Sequence, residues 1–285
     1  MTARERRIDL RDGLRLRVHE RGPESAGLPL LLLHGFTGSV EAWGEPLLGG
    51  LASAGRRVLA VDLPGHGASD VPREPARYAM DAQLDDLEEA LSALGADRAV
   101  WIGYSMGARL ALGAAVLRPE RVAGLVLESG SPGLADPAER AARREADEAL
   151  AARLDGAGPA AMASFVDDWM ALPLFESQRR LPEAVLRRER ERRLRADPAG
   201  LAGSLRGFGT GAQPSLWERL EDVRAPALLL TGDLDPKFEA LADRMADRMP
   251  AAARATVPGA GHAVHLERPD AWLARVRAFL EAEGV

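Results

Sequence analysis

Short apolar runs alternate with longer segments of helical periodicity along most of this chain. The run Leu30 to Leu33 is wholly apolar and ends in a loop, which is typical of a buried strand. Residues 81–94 instead carry a stripe of leucines at helical spacing. Strands that alternate with helices predict a parallel sheet with right-handed crossovers. The predicted strands cover residues 30–33, 57–61, 99–102, 121–127, 226–230 and 254–257, and the predicted helices 41–54, 81–94, 237–249 and 267–282.

Two segments depart from this alternation. Residues 5–20 alternate apolar and polar positions around a turn at 11–13, which predicts a β-hairpin. Residues 134–215 hold almost no strand-like run and are rich in Ala, Arg and Glu at helical spacing, interrupted by prolines. We therefore expect one α/β core built from residues 1–133 and 216–285, with 134–215 as a helical cap over the carboxyl edge of the sheet.

Composition limits the classes of function. The chain has 285 residues, a net charge of -6 and no cysteine, so thiol and disulfide chemistry are excluded and nucleic acid is disfavoured as a partner. No apolar run approaches the ~18 residues of a membrane span. The charged N-terminus lacks the apolar stretch of a signal peptide. These features predict a cytoplasmic protein, as a monomer or a small homo-oligomer.

Lysine usage singles out one position. Asparagine is absent, and Lys237 is the one lysine among basic side chains that are otherwise all arginine. This usage is typical of coding bias. A lysine that persists under such bias marks a position where the planar guanidinium of arginine does not serve equally well.

The segment from Asp97 to Leu117 holds the strongest chemical signal. An apolar strand leads into Gly103-Tyr104-Ser105-Met106-Gly107, and an Ala- and Leu-rich helix follows. A G-x-S-x-G motif between a strand and a helix predicts a nucleophile elbow, a sharp turn that holds the Ser105 hydroxyl above the sheet edge. The backbone N–H of Met106 then lies at a helix N-terminus, where negative charge is stabilised.

A serine nucleophile needs a histidine base, which in turn needs a carboxylate to fix its tautomer. In the chain order Ser, acid, His, the base belongs in the last strand-to-helix loop, where His262 directly follows the GAG turn and is the predicted base. His265, three residues on at the start of the last helix, is expected to pack or to face the cleft. The acid is expected after the strand that ends near residue 230, as Asp235. Asp233 and, less well placed, Glu128 remain alternatives. The two histidines lack further ligands at metal-binding spacing, so no metal is predicted.

A second loop contributes to the expected oxyanion hole. His34-Gly35-Phe36 directly follows the strand at 30–33, and there the N–H of Phe36 can join that of Met106. His34 and His66 are interpreted as structural loop residues.

Several motifs together give the chain a family resemblance over nearly its whole length. The segments HGF at 34–36, DLPGHGAS at 62–69, GYSMG at 103–107, GDLD at 232–235 and GAGH at 259–262 resemble the α/β-hydrolase superfamily. DPKF at 235–238 and GTGAQPSLW at 209–217 are similar to a narrower group, the 2-succinyl-6-hydroxy-2,4-cyclohexadiene-1-carboxylate synthase (SHCHC synthase) family of menaquinone biosynthesis. One departure is Met170, where some members of the family carry a tyrosine.

This resemblance implies an α/β-hydrolase fold that acts as a lyase without a cofactor. The family eliminates pyruvate from 2-succinyl-5-enolpyruvyl-6-hydroxy-3-cyclohexene-1-carboxylate. By analogy, Ser105 made basic by His262 and Asp235 would remove a ring proton. The N–H groups of Phe36 and Met106 would then stabilise the dienolate oxygen.

The implied substrate carries three carboxylates, whereas the protein is acidic overall. Such a trianion needs a local pocket of cationic side chains, preferably guanidinium forks. Arginines are abundant in the run 187–195, and the family pattern selects Arg193 within it. The expected substrate contacts are Tyr104, Arg109, Arg143, Trp169, Arg193 and Lys237.

Two other functions remain open at this stage. An esterase, lactonase or C–C bond hydrolase would share every triad residue, but a neutral substrate would not require Arg143, Lys237 or the 209–217 motif. A non-catalytic ligand-binding member of the fold would usually lack part of the triad, and here all three positions are filled.

Overall fold

The protein is described by a computed structural model covering residues 3–24 and 27–285. In it one sheet of eight strands runs in the order β1-β2-β4-β3-β5-β6-β7-β8. The first two pairings, β1 with β2 and β2 with β4, are antiparallel, and all the others are parallel. This is the predicted mostly parallel sheet with an N-terminal hairpin. The strands are β1 Ala3–Asp9, β2 Arg15–Arg21, β3 Leu30–Leu33, β4 Val58–Val61, β5 Ala99–Tyr104, β6 Val122–Glu128, β7 Ala227–Gly232 and β8 Ala252–Val257.

Helices connect the strands and cover both faces of the sheet. They are α1 Gly44–Ser53, α2 Met80–Ala93, α3 Met106–Leu117, α4 Pro137–Ala152, α5 Pro159–Met170, α6 Glu183–Leu194, α7 Pro198–Phe208, α8 Pro236–Ala246, α9 Val264–Glu267 and α10 Pro269–Glu283. Among the described residues, none of these helices has both the length and the apolar content needed to cross a bilayer.

Two apolar layers hold the helices on the sheet. Every residue of β3, β4 and β6 is buried, as expected for strands covered on both faces. On one face Trp101 packs in a cluster with residues of α2, α3 and α8. On the other face Trp272 packs in a cluster with residues of α1 and α10. The loops at the carboxyl ends of the parallel strands are therefore held on a rigid support.

Helices α4 to α7 lie between β6 and β7, and this part of the structure contains no strand, as the hydrophobic pattern predicts. These helices have an apolar cluster of their own, which includes Phe165, Val166 and Leu201. Phe36 and Trp169 pack against it from the side of the cavity described below. The division into a core and a cap at residues 134 and 215 stays a prediction.

Element boundaries differ slightly from the predictions. The helix expected over 41–54 begins at Gly44, because 40–42 form a 3₁₀ turn and Gly44 adopts a left-handed φ of 63°. His265 does not open the closing helix, since it lies in the separate short helix α9.

Candidate active site

The turn between β5 and α3 holds Ser105 in a strained conformation. Its φ of 51° and ψ of -105° lie in a region that a residue with a Cβ rarely adopts. The flanking glycines allow the close approach that this turn requires. A Cβ on Gly103 would lie 2.3 Å from the backbone of Gly107, and a Cβ on Gly107 would lie 2.1 Å from the carbonyl oxygen of Leu33. The predicted nucleophile elbow is therefore present as a backbone structure.

Ser105, His262 and Asp235 form a continuous hydrogen-bonded chain. His262 Nε2 lies 3.1 Å from Ser105 Oγ, and His262 Nδ1 lies 2.7 Å from Asp235 Oδ2. Because an ionised carboxylate only accepts hydrogen bonds, the Nδ1–H donates to Asp235 and Nε2 is left to accept from the serine hydroxyl. This is the arrangement that a serine base or nucleophile requires.

The alternative acids have other partners. Asp233 accepts the backbone N–H of Gly259 at 2.7 Å. Glu128 hydrogen-bonds His265 rather than His262, with Oε1 2.8 Å from His265 Nδ1. Of the three candidate acids in the sequence, Asp235 is the one that contacts the base facing Ser105.

The loop that carries His262 is held on both sides of that residue by one carboxylate. Glu267 in α9 accepts the N–H of Gly261 at 2.8 Å and the N–H of Ala263 at 3.3 Å. His262 itself is 1% exposed, and the ring of Phe238 packs edge-on against its imidazole with centroids 4.5 Å apart. The imidazole is thus fixed before any ligand arrives.

Phe36, the second predicted oxyanion donor, lies on a loop that is held by buried side chains. Phe36 and Met106 border the same cavity as Ser105. Two residues before Phe36, His34 donates from Nδ1 to the carbonyl of Gly35 at 2.8 Å, and its Nε2 accepts the N–H of Leu63 at 3.1 Å. Burial lowers the pKa of His34 to about 4, so the ring is neutral at neutral pH.

His66 supports the same region. Its Nδ1 donates to the carbonyl of Pro64 at 3.0 Å, and its ring lies 5.0 Å from that of His34. Burial, with the neighbouring His34 adding to the effect, lowers the pKa of His66 to about 3. Both histidines have structural contacts, in agreement with their interpretation as loop residues.

A cavity of about 960 Å³ opens above Ser105. Its walls combine residues from the sheet edge with residues from the 134–215 segment. Ten of the eleven predicted site residues line it. They are Phe36, Tyr104, Ser105, Met106, Arg109, Arg143, Trp169, Asp235, Lys237 and His262.

Arg109 and Arg143 line one side of this cavity. Arg109 is buried on α3 and donates from Nη1 to the carbonyl of Phe208 at 3.1 Å and to Gln213 Oε1 at 2.7 Å. It makes no ion pair with a carboxylate in the described part of the chain. Burial lowers the pKa of Arg109 to about 10, with the charge of Arg143 contributing. Arg143 on α4 is more exposed and is paired with Asp147 at 2.8 Å.

A second cationic wall comes from α8. Lys237 and Arg244 are seven residues apart, line the cavity and are exposed at its mouth. Within residues 3–24 and 27–285 neither forms a salt bridge with a carboxylate. The Arg244 guanidinium lies 4.3 Å from the centre of the Trp217 ring. Arg244 was not predicted, although its helical spacing from Lys237 places both on one face of α8.

The structure does not place Arg193 at the cavity, which corrects the prediction of a substrate contact. Arg193 is buried on α6 and donates to Glu189 Oε2 at 3.0 Å. Burial disfavours the charge of Glu189, but Arg192 and Arg193 outweigh this cost and lower its pKa to about 2. The physical reason for the correction is that a buried guanidinium needs a carboxylate partner, and Glu189 supplies it.

Aromatic rings form the roof of the cavity. The Trp169 ring lies 5.0 Å from Phe36 and 5.9 Å from Phe175, and Phe175 lies 6.1 Å from His262. Tyr104 packs 5.5 Å from His262 on the sheet side. The cavity therefore presents an apolar middle with cations around it, and among the described residues no group of three metal-ligating side chains is assembled.

Known proteins match this chain in fold and align with it over most of its length. The model of the alpha/beta hydrolase fold family matches residues 29–269. A Bacillus subtilis (strain 168) protein, provisionally named 2-succinyl-6-hydroxy-2,4-cyclohexadiene-1-carboxylate synthase, is 41% identical over 275 residues, which is 96% of this chain and 97% of that protein. The synthase of that name from Serratia proteamaculans (strain 568) is 32% identical over 90% of this chain and 94% of its own. The solved structure of MenH from S. aureus superposes with a TM-score of 0.88 at 33% identity, covering 95% of this chain and 99% of that one.

Proposed function

This chain belongs to the SHCHC synthase family of the α/β-hydrolase fold, and we propose from this premise that it is a carbon–oxygen lyase of menaquinone biosynthesis. It eliminates pyruvate from 2-succinyl-5-enolpyruvyl-6-hydroxy-3-cyclohexene-1-carboxylate and forms 2-succinyl-6-hydroxy-2,4-cyclohexadiene-1-carboxylate. The observation that carries the proposal is a complete Ser105–His262–Asp235 chain beneath a cavity whose cations Arg109, Lys237 and Arg244 form no ion pair with a carboxylate in the described residues.

The geometry suits proton abstraction by a serine oxygen. As His262 Nε2 accepts the Ser105 hydroxyl proton, Oγ becomes basic and removes the ring proton beside the succinyl ketone. The C–H electrons form a dienolate, whose oxygen accepts hydrogen bonds from the N–H groups of Phe36 and Met106. Collapse of the dienolate breaks the C–O bond to the enolpyruvyl group, and the departing enol becomes pyruvate by taking up a proton.

The cations match the charge of this substrate. The substrate carries three carboxylates, and the net negative charge of the protein would repel them if the cavity held no cations. In our proposal Arg109, Arg143 and Lys237 bind these carboxylates, and each charge-assisted hydrogen bond contributes about 1.5–3 kcal/mol. Tyr104 and Trp169 border the apolar middle of the cavity and contact the ring.

The test is a product assay with freshly prepared substrate. Purified protein should release pyruvate and form the conjugated diene in equal amounts, faster than the substrate decays without protein. Intact-mass spectrometry during turnover should show no adduct on Ser105, because elimination passes through no acyl-enzyme. Absence of acceleration, together with rapid hydrolysis of simple activated esters, would overturn the lyase assignment.

A hydrolase is the second candidate, because the same triad and N–H groups can also support an acyl-enzyme. An esterase, lactonase or C–C bond hydrolase would need an ester or ketone substrate and a water that attacks it. The cationic side chains at the cavity favour the lyase, since a neutral ester has no carboxylates for them to bind. The same assay separates the two, because a hydrolase accumulates or turns over an adduct on Ser105.

The remaining features of the proposal concern its setting. We propose a cytoplasmic enzyme that acts on a small organic anion and uses no cofactor. The number of chains in the active protein, one or a few, stays a prediction.

A further inference from the structure

A second carboxylate–histidine pair lies buried behind the triad. Glu128 at the end of β6 is fully buried, and its Oε1 lies 2.8 Å from His265 Nδ1 and 3.0 Å from the backbone N–H of His265. Its other oxygen accepts the indole N–H of Trp272 at 2.8 Å. His265 is 5% exposed and does not line the cavity above Ser105. The proposed reaction uses none of these groups.

Glu128 contacts both halves of the catalytic site. Its backbone carbonyl accepts the N–H of Ser105 at 2.8 Å, at the residue whose φ is strained. Its side chain holds His265, which lies three residues after His262 on the same short segment. One residue therefore sets the position of the elbow through its main chain and the position of the base segment through its side chain.

Tyr104 fills the space between the two histidines. Its ring centroid lies 4.6 Å from that of His265 and 5.5 Å from that of His262. On the opposite side, a Cβ on Gly35 would come within 2.7 Å of the Tyr104 ring. A displacement of His265 would thus be transmitted through Tyr104 towards both His262 and the loop that carries Phe36.

We propose that Glu128 and His265 are positioning residues that fix the approach of His262 Nε2 to Ser105 Oγ. The inference rests on the catalytic roles proposed for Ser105 and His262, but not on the identity of the substrate. A displacement of about 1 Å between reacting groups can lower a rate by roughly a hundredfold. The hydrogen bonds to Glu128 restrain such a displacement, because a buried carboxylate that loses a donor pays a large desolvation cost.

The test measures the reactivity of Ser105 without the proposed substrate. A small fluorophosphonate phosphonylates an activated serine: Oγ bonds to phosphorus as the P–F bond breaks and fluoride leaves. The second-order rate constant of this labelling reports the alignment of Ser105 and His262. Glu128→Met removes both acceptor oxygens, including the one that accepts the Nδ1–H and the backbone N–H of His265, and should lower the rate constant about tenfold in protein shown by circular dichroism to be folded. The matched control is Glu20→Met. Glu20 lies on β2, away from the elbow, and forms a buried ion pair with Arg57, which directly precedes β4. Glu20→Met should lower the melting temperature and leave the rate constant unchanged.

Two substitutions of His265 distinguish a positioning role from simple packing, and they test the proposal even if Glu128→Met does not fold. His265→Asn keeps an amide N–H near the place of Nδ1, and the rate constant should stay within about threefold of the parent. His265→Leu fills the space but loses the Nδ1–H donor and leaves only the backbone N–H to donate to Glu128, so labelling should slow about tenfold. If His265→Leu labels as fast as His265→Asn or faster, the pair only packs and the proposal is overturned.

The remaining outcomes are also decisive. A folded Glu128→Met protein that labels at the parental rate overturns the proposal, as does a parent protein whose Ser105 is not labelled. If the parent is labelled at Ser105 but releases no pyruvate, the proposed function fails and the positioning role is still tested by the same variants.

Discussion

At the residue scale, the site depends on which carboxylate each histidine contacts. The sequence contains three acids that fit the triad, and spacing alone favours Asp235 without excluding Asp233 or Glu128. The structure separates them, since Asp235 contacts His262, Glu128 contacts His265 and Asp233 binds a backbone N–H. Asp235 should therefore be the acid that controls the tautomer of His262.

Asp235→Asn tests this assignment. An amide in place of the carboxylate favours the wrong imidazole tautomer, and we expect kcat to fall about 10³–10⁴-fold. The matched control is Asp233→Asn, which should change kcat less than about threefold because Asp233 does not contact His262. Steady-state kinetics of pyruvate release measures both variants. Equal losses for the two would contradict the assignment.

The cations at the cavity mouth give a second prediction at this scale. Lys237→Ala should raise KM by about tenfold with little change in kcat, because it removes one charged contact worth about 1.5 kcal/mol. Arg188→Ala on the exposed surface of α6 is the control and should leave KM unchanged. The effect should shrink as salt concentration rises. An unchanged KM in Lys237→Ala would show that this wall does not bind the substrate.

At the element scale, the hydrophobic pattern predicts most accurately those strands and helices in which one local feature of the sequence dominates. The four consecutive leucines predict a buried strand over 30–33, and β3 has these same bounds with all four side chains buried. Arg193 shows the opposite case. Helix α6 carries arginines on several faces, so sequence cannot tell which of them meets the cavity and which meets Glu189. Arg244 differs, because its helical spacing from Lys237 is visible in the sequence, whereas tertiary packing decides that this face of α8 turns towards the cavity.

The nucleophile elbow gives an element-scale prediction. Gly107→Ala introduces a Cβ 2.1 Å from the carbonyl oxygen of Leu33, and the helix cannot move away without displacing Ser105. We expect a loss of about 3 kcal/mol in the free energy of unfolding, measured by urea titration. Gly49→Ala on α1, where a Cβ meets nothing within 4 Å, is the control and should stabilise by up to about 1 kcal/mol. Destabilisation of both variants alike would contradict the close-approach argument.

At the scale of the whole molecule, the fold buries two histidines, and burial makes them harder to protonate. His34 and His66 have pKa values of about 4 and about 3 in the folded protein, because burial disfavours their charged forms. In the unfolded chain both return to about 6.5. Below that pH the unfolded state binds more protons, so the stability present at neutral pH is lost as the pH falls from about 6.5 towards the folded values.

The predicted loss is about 1.4 kcal/mol per pH unit for each histidine within this window. Urea titrations at pH 7, 6 and 5 should show it as a falling free energy of unfolding. His66→Asn, which keeps a donor for the carbonyl of Pro64, should have a shallower slope than the parent. A parental stability that is flat between pH 7 and pH 5 would rule out the linkage.

In the proposed reaction of the whole molecule, Ser105 within this cavity removes the proton that starts pyruvate elimination. The most direct measurement compares the initial rate of pyruvate release by the parent protein and by Ser105→Ala, with the decay of the substrate alone subtracted. We expect the rate to fall about 10³-fold or more, since the triad acts as one unit. A Ser105→Ala protein that releases pyruvate at the parental rate would contradict this role of Ser105.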